Sequence, residues 1–399
     1  MAGGAREWLP SHALPAQARA LLQAAVLDGS AGSAAALVCV GRDFQAGFAF
    51  GRTSRVRQVP AGGREQPRPG VPIDLETRFD LASLTKPMAT TTLLARELSR
   101  GQPSISLSDR VDRHLPEADA GARTATVGST TLQAVLGHGA GLPAWQDFWT
   151  ASQTLDPAER CTAIMREVLT QPLTTPSGTH VIYSDLGYLT LGWLLEALHR
   201  TPLDQLFARE IAAPLGLRAG YRRSTRSHPP EPLVATEITP ERCPEGRPLQ
   251  GVVHDDNCAA LAGVAGHAGL FASAIDVASW ATVWLDVLAG DPGDATPRGR
   301  LALAPAVAHR LVTAQAAPGT TWRLGWDTPT RPGSSAGELA PADAFGHLGF
   351  TGTSVWLAPA AQAAVVLLTN RVHPSREATE GIRRLRPALH DSVWPWLQR

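Results

Sequence analysis

Apolar residues recur along the chain with two different spacings, and the switches between them outline a fold. Over residues 14–27, leucines and alanines return at helical intervals until Asp28-Gly29 closes the run, which predicts an amphipathic helix. Two strand-like runs follow at 34–40 and 46–51, separated by the polar turn Gly41-Arg42-Asp43. Residues 52–72 are rich in Gly, Pro and Arg and read as an exposed loop. Leu, Met and Ala then return at helical spacing over 84–98, stopping at Ser99-Arg100-Gly101. From there to about residue 250 the pattern is helical between Pro- and Gly-rich breaks, with the best helices at 157–169, 186–199 and 203–211. After Gly263 the texture changes again. A helix is expected at 273–288 and strands at 322–326, 353–357 and 364–369, where β-branched and apolar residues are bounded by Gly, Pro and Asn. A last helix over 377–397 would dock Leu385, Leu389, Val393 and Trp396.

Strands therefore fall at both ends of the chain and helices in the middle. Each element must bury its apolar face against another, and the simplest solution is an α+β fold. An antiparallel sheet built from both ends would be flanked by N- and C-terminal helices, with a mainly helical lobe inserted. The implied sheet lobe is 1–86 with 260–399, and the helical lobe is 87–259. A cleft between two such lobes is a natural place for a site.

The 399 residues are 44% hydrophobic and carry a net charge of +0, enough apolar material for a core and too balanced for a disordered chain. No block of like charge offers a surface to nucleic acid or an anionic membrane, so neither is an expected partner. No apolar run near the start approaches the roughly 20 residues of a membrane span. The opening segment has no basic region followed by an apolar one, and a cytoplasmic location is expected. Cys39, Cys161, Cys243 and Cys258 lie far apart without C-x-x-C spacing and read as free thiols. Nothing in the pattern specifies an oligomeric state.

Candidate chemistry begins at Phe79-Asp80-Leu81-Ala82-Ser83-Leu84-Thr85-Lys86. Ser83 opens the predicted helix, and Lys86 lies three residues on, so both side chains share one face. A serine hydroxyl is a weak nucleophile until a neighbouring base takes its proton. Lysine fills that role when burial and a helix N-terminus lower its pKa. Tyr183-Ser184-Asp185 stands just before the predicted 186–199 helix, where a phenol can relay a proton if neighbouring cations lower its pKa. Gly346-His347-Leu348-Gly349-Phe350-Thr351-Gly352 precedes a strand, and its glycines allow close approach to a ligand and an N–H aimed at a developing oxyanion. Taken singly, each motif also reads as ordinary structure: a helix-capping serine, a core tyrosine, a glycine-rich hairpin.

Together, in this order and at these separations, the three motifs resemble the serine β-lactamase and penicillin-binding-protein superfamily. The nearest branch contains class C β-lactamases, D,D-peptidases, D-aminopeptidases and esterases. The resemblance covers roughly residues 30–395 and is supported by Leu107-Ser108-Asp109, Gly139-Ala140-Gly141-Leu142-Pro143, Ala213-Pro214-Leu215-Gly216-Leu217 and Gly269-Leu270-Phe271-Ala272-Ser273. It implies that Ser83 attacks a carbonyl while Lys86 and Tyr183 take and return protons. It also implies an oxyanion hole from the backbone N–H groups of Ser83 and Phe350, and a small-molecule substrate bound beside Asp185, His347 and Gly349. No cofactor is called for.

Three positions depart from the family pattern. Asp185 replaces the commoner Asn; it could pair with Lys86 and hold it charged, or share a proton with it. His347 stands where β-lactamases carry a lysine, and Leu348 replaces a threonine, so two groups that would hold a substrate carboxylate are absent. A neutral ester, an amide or a peptidoglycan-like peptide is therefore expected to be favoured over a β-lactam. The alternative is a penicillin-binding or sensor protein that acylates once without turnover. Gly251-Val252-Val253-His254-Asp255-Asp256-Asn257 and Gly266-His267-Ala268-Gly269 form a second polar cluster, read as a loop walling the acyl pocket around His254, with structural support and a metal site as the alternatives.

Overall fold

The computed structural model describes residues 12–41, 44–55, 70–102, 104–115, 125–224, 231–243, 245–290 and 301–398. Nine strands form among them: β1 (His12–Ala13), β2 (Ser33–Val40), β3 (Phe44–Gly51), β4 (Phe79–Asp80), β5 (Gly220–Tyr221), β6 (Leu270–Ala272), β7 (Phe345–Leu348), β8 (Ser354–Ala358) and β9 (Ala363–Thr369). The main sheet runs β1-β3-β2-β9-β8-β7, antiparallel except at the β1–β3 edge. It draws its strands from both ends of the chain, as the sequence pattern predicts. The second sheet, β4-β6-β5, is small and was not foreseen; its strands have only two or three residues, too few to show a period.

β2 and β9 are buried on both faces, which is why they read as continuous apolar runs rather than alternating ones. Ala35, Leu37 and Cys39 with Ala364, Val366 and Leu368 point into one core. Ala34, Ala36 and Val38 with Val365 and Leu367 point into the other. The second core is closed by the terminal helices Ala16–Leu27 and Glu380–Val393 through Ala18, Leu22, Val26, Leu385, Leu389 and Val393. The first is closed by the helix Ala274–Leu288, apolar on all sides and opened by a Ser273/Asp276 capping box. Its Trp280 and Trp284 indoles both donate to the Thr92 hydroxyl, at 3.1 and 3.2 Å, fastening it to the helix that follows Ser83.

Three expectations need correction. Residues 322–326 do not form a strand, because Gly325 takes φ +90° against the segment that follows Lys86, where a Cβ would meet Thr91 Oγ1 at 2.4 Å. The bend sends Trp326 into the core beside Trp280, Trp284 and Phe345, and leaves Trp322 at the cleft. The described residues between Tyr221 and Asp256 hold no helix; Pro232, Pro240 and Pro248 remove backbone donors there. The expected 84–98 helix is three pieces, a 3₁₀ turn Ala82–Leu84, a π-helix Lys86–Thr91 and an α-helix Thr92–Leu98. Most of the 52–72 loop lies outside the described residues. Among the described residues no helix is long and apolar enough to cross a membrane. All four cysteines are free, with Cys39 and Cys258 buried and Cys161 exposed.

Candidate active site

The turn that carries Ser83 is held from three sides. Ala82 sits at φ +46°, a conformation non-glycine residues rarely adopt, at a cost of about 1–3 kcal/mol met by its surroundings. The buried carboxylate of Asp80 accepts the Ala82 N–H at 2.8 Å and the His254 N–H at 2.6 Å. The 3₁₀ turn ends at Leu84, and Lys86 opens the π-helix that follows, three residues on from Ser83. Nζ of Lys86 donates to Ser83 Oγ at 2.9 Å.

From the other side, the segment after β7 is stapled to the same turn. Thr351 Oγ1 donates to the Asp80 carbonyl at 2.7 Å and Thr353 Oγ1 to the Leu81 carbonyl at 3.0 Å. Gly349 lets the backbones close: a Cβ there would stand 2.0 Å from Thr353 Oγ1 and 2.4 Å from the Leu81 carbonyl. It is thus a spacer between the two backbones. Among the described residues, the backbone N–H of Phe350 has no acceptor. Gly349→Ala is expected to push the strand off the turn, destabilising the fold by about 1–3 kcal/mol and reducing kcat. Urea melts and ester turnover measured together check this; wild-type values for both would contradict the stapling role.

Asp185 reaches Lys86 because the helix Asp185–His199 starts where it does. Ser184 caps that helix, accepting the Gly187 N–H at 3.3 Å while donating to the Pro143 carbonyl at 2.6 Å. The next residue, Asp185, therefore projects from the first turn and accepts from Lys86 Nζ at 2.7 Å. Lys86 is fully buried and also reaches the His267 carbonyl at 3.5 Å. Burial opposes its charge, but Asp185 and Tyr183 outweigh burial and hold its pKa above the ordinary lysine range. The expected fall in its pKa is thus reversed, and Lys86 pairs with Asp185. Lys86 rests as a cation that donates to Ser83.

Tyr183 packs beside Lys86, with Nζ 4.7 Å from its ring centre, and its phenol feels both Lys86 and Ser83. Burial raises its pKa, and Lys86 only partly offsets this, so the lowered value expected from neighbouring cations is not reached.

His347 is buried with its ring centre 6.0 Å from that of Tyr183, and burial with the nearby Lys86 pushes its pKa down to about 3. Its Nδ1–H donates to the Leu348 carbonyl, so it is a neutral group facing the site. His254 is buried, paired with Glu237 at 3.0 Å, and stacked 5.7 Å from the half-exposed Phe350 ring. It walls the site through its backbone bond to Asp80. Asp255 holds His267 at 2.9 Å and caps the short helix Asp256–Ala260. One donor atom each from Asp185, Asp255 and His267 lie within 4.8 Å of one another, a metal-like set in which the ammonium of Lys86 already sits against Asp185. Sequence reading assigned no role to Asp80, His138 or Trp322: the first hides at the end of a two-residue strand, and the other two meet Tyr183 only in three dimensions, at 4.5 and 5.1 Å between ring centres.

A family model described as Beta-lactamase matches residues 19–390. Over 334 residues the chain is 33% identical to an N-acetylmuramyl-L-alanine amidase of Bacillus subtilis (strain 168), covering 78% of this chain and 72% of that protein. It is 30% identical over 321 residues to an Escherichia coli (strain K12) protein that carries the provisional name D-alanyl-D-alanine carboxypeptidase, covering 74% and 70%. The solved structure of EstCE1, a hydrolase with promiscuous acyltransferase activity, superposes with TM-score 0.67 at 22% identity, covering 95% of this chain and 97% of that one, a likeness of fold. The family match spans the sheet, the Ser83 turn and the Tyr183 segment alike, and the chain belongs to the β-lactamase family of serine hydrolases.

Proposed function

We propose that the protein hydrolyses a small ester, amide or peptidoglycan-like peptide through an acyl-enzyme on Ser83. The observation that carries this is the single ammonium of Lys86, bonded to Ser83 Oγ at 2.9 Å and Asp185 at 2.7 Å, with the Tyr183 ring centre 4.7 Å from Nζ. Because Lys86 rests protonated, it acts as the cation that stabilises a Tyr183 phenolate, and that phenolate takes the Ser83 proton as Oγ bonds to the carbonyl carbon. Tyr183 then returns the proton to the leaving group, and water repeats the sequence to free the acid. The N–H groups of Ser83 and Phe350 receive the oxyanion; losing one such donor typically costs about 10²–10³-fold in kcat. The neutral His347 favours a substrate without a carboxylate at that position.

A panel of p-nitrophenyl esters, D-amino-acid amides, D-alanyl-D-alanine peptides and nitrocefin tests the reading, together with intact mass after a fluorophosphonate. Turnover of an ester or amide ahead of nitrocefin is expected, with an adduct on Ser83. Since Tyr183 titrates above 10, log kcat/KM should rise with pH through the neutral range. An adduct that forms once and never clears would favour the penicillin-binding or sensor alternative; no adduct and no turnover would reject both.

A further inference from the structure

The segment bearing Tyr183 is not part of a helix or strand, yet a proton carrier must be held to within a fraction of an ångström. Two hydrogen bonds bracket it, one residue to either side, and both end on His138. The Ile182 N–H donates to the His138 carbonyl at 3.0 Å, and the Ser184 N–H donates to His138 Nδ1 at 3.1 Å. The imidazole itself lies against the phenol, ring centres 4.5 Å apart, and against Trp322 at 4.9 Å and Tyr188 at 5.2 Å. His138 takes φ +62° at the end of the short helix Leu132–Leu136, a left-handed conformation that a glycine would adopt freely. Keeping a histidine there is costly unless its side chain is used.

We propose that His138 is a positioning residue for Tyr183, gripping the residues on both sides of the phenol and backing its ring. This rests on the reading of Tyr183 as the proton carrier. The bond from Ser184 requires a lone pair on Nδ1, which places the imidazole proton on Nε2. Burial, with the charge of Lys86, keeps the His138 pKa well below its usual value, so the accepting form persists across working pH. The polar groups facing Tyr183 are then Ser83, Lys86, Asp185, His138 and His347.

Two variants separate positioning from mere packing. His138→Gly relieves the left-handed backbone but removes both ring and acceptor. His138→Asn suits the same backbone and retains an acceptor near the Nδ1 position. For the glycine variant a kcat loss of about 10²-fold is expected with KM little changed, since misplacement near 1 Å has that effect. Its rising pH limb should also move to lower pH as water reaches the phenol and relieves the burial that raises its pKa. His138→Asn should recover most of kcat and the original limb. A glycine variant with wild-type kcat and pH profile, or an asparagine variant no better than a folded glycine variant, overturns the proposal. If the glycine variant melts early, His138→Phe, with ring but no acceptor, decides: lower kcat with a shifted limb supports the grip, and an unchanged profile rejects it. A wild-type enzyme that takes no fluorophosphonate at Ser83 would instead reject the parent reading.

Discussion

Ser83→Ala is expected to abolish turnover and covalent labelling while leaving the fold almost untouched. The hydroxyl is the proposed nucleophile, with Lys86 Nζ 2.9 Å away and the Tyr183 ring packed against that ammonium. Removing the nucleophile from a catalytic unit of this kind costs up to about 10⁶-fold in kcat. The structural cost is small, because the Ser83 side chain is half-buried and the Lys86 charge keeps its ion pair with Asp185. Thermal midpoints of variant and wild type should therefore coincide closely. Tyr183→Phe added to Ser83→Ala should lower the residual rate little further, since residues that act as one unit are not additive. Substantial turnover by Ser83→Ala would remove the acyl-enzyme from the mechanism altogether.

How far the sequence led depends on the range of each interaction. Long elements with strong periodicity were legible: Ala16–Leu27, Asp185–His199, Ala274–Leu288 and Glu380–Val393 fall within a few residues of their predicted spans. So was the Ser83–Lys86 pair, because a spacing of three is local geometry. The charge state of Lys86 was not legible. It depends on Asp185, 99 residues away, and two opposing effects had to be weighed at a distance that only the fold supplies. Trp322 was misread for a related reason: its segment is apolar enough for a strand, and the close approach of Gly325 to Thr91 that bends it leaves no periodic trace. Gly349 could be flagged as a close-approach glycine, but not that it approaches Leu81 and Thr353 rather than a ligand.

Asp185→Asn isolates the ion pair that separates this chain from the commoner family pattern, and its effects on stability and on rate have calculable signs. In the wild type the folded pKa of Lys86 lies above the ordinary lysine value of 10.5, so the pair's stabilisation is fully present below that pH and is lost only as pH rises through the folded value. Its contribution is flat between pH 6 and about 9. Without the carboxylate, burial becomes the dominant influence and the folded pKa drops below 10.5. The sign then inverts: a penalty for burying the cation is present below the lowered pKa and is relieved as pH rises toward 10.5. Breaking such a buried pair costs about 3–5 kcal/mol, and nearby Asp255 should keep the loss toward the lower end. Urea unfolding from pH 6 to 10 should thus show the variant gaining stability relative to wild type as pH increases. In the rate profile, removal of a negative neighbour should lower the Tyr183 pKa and draw the rising limb of kcat/KM to lower pH. A falling limb should appear at alkaline pH, where Lys86 loses its proton and with it the charge that stabilises the phenolate. A variant that instead speeds up without limit toward alkaline pH would make neutral Lys86 the base, with Asp185 acting as a brake upon it.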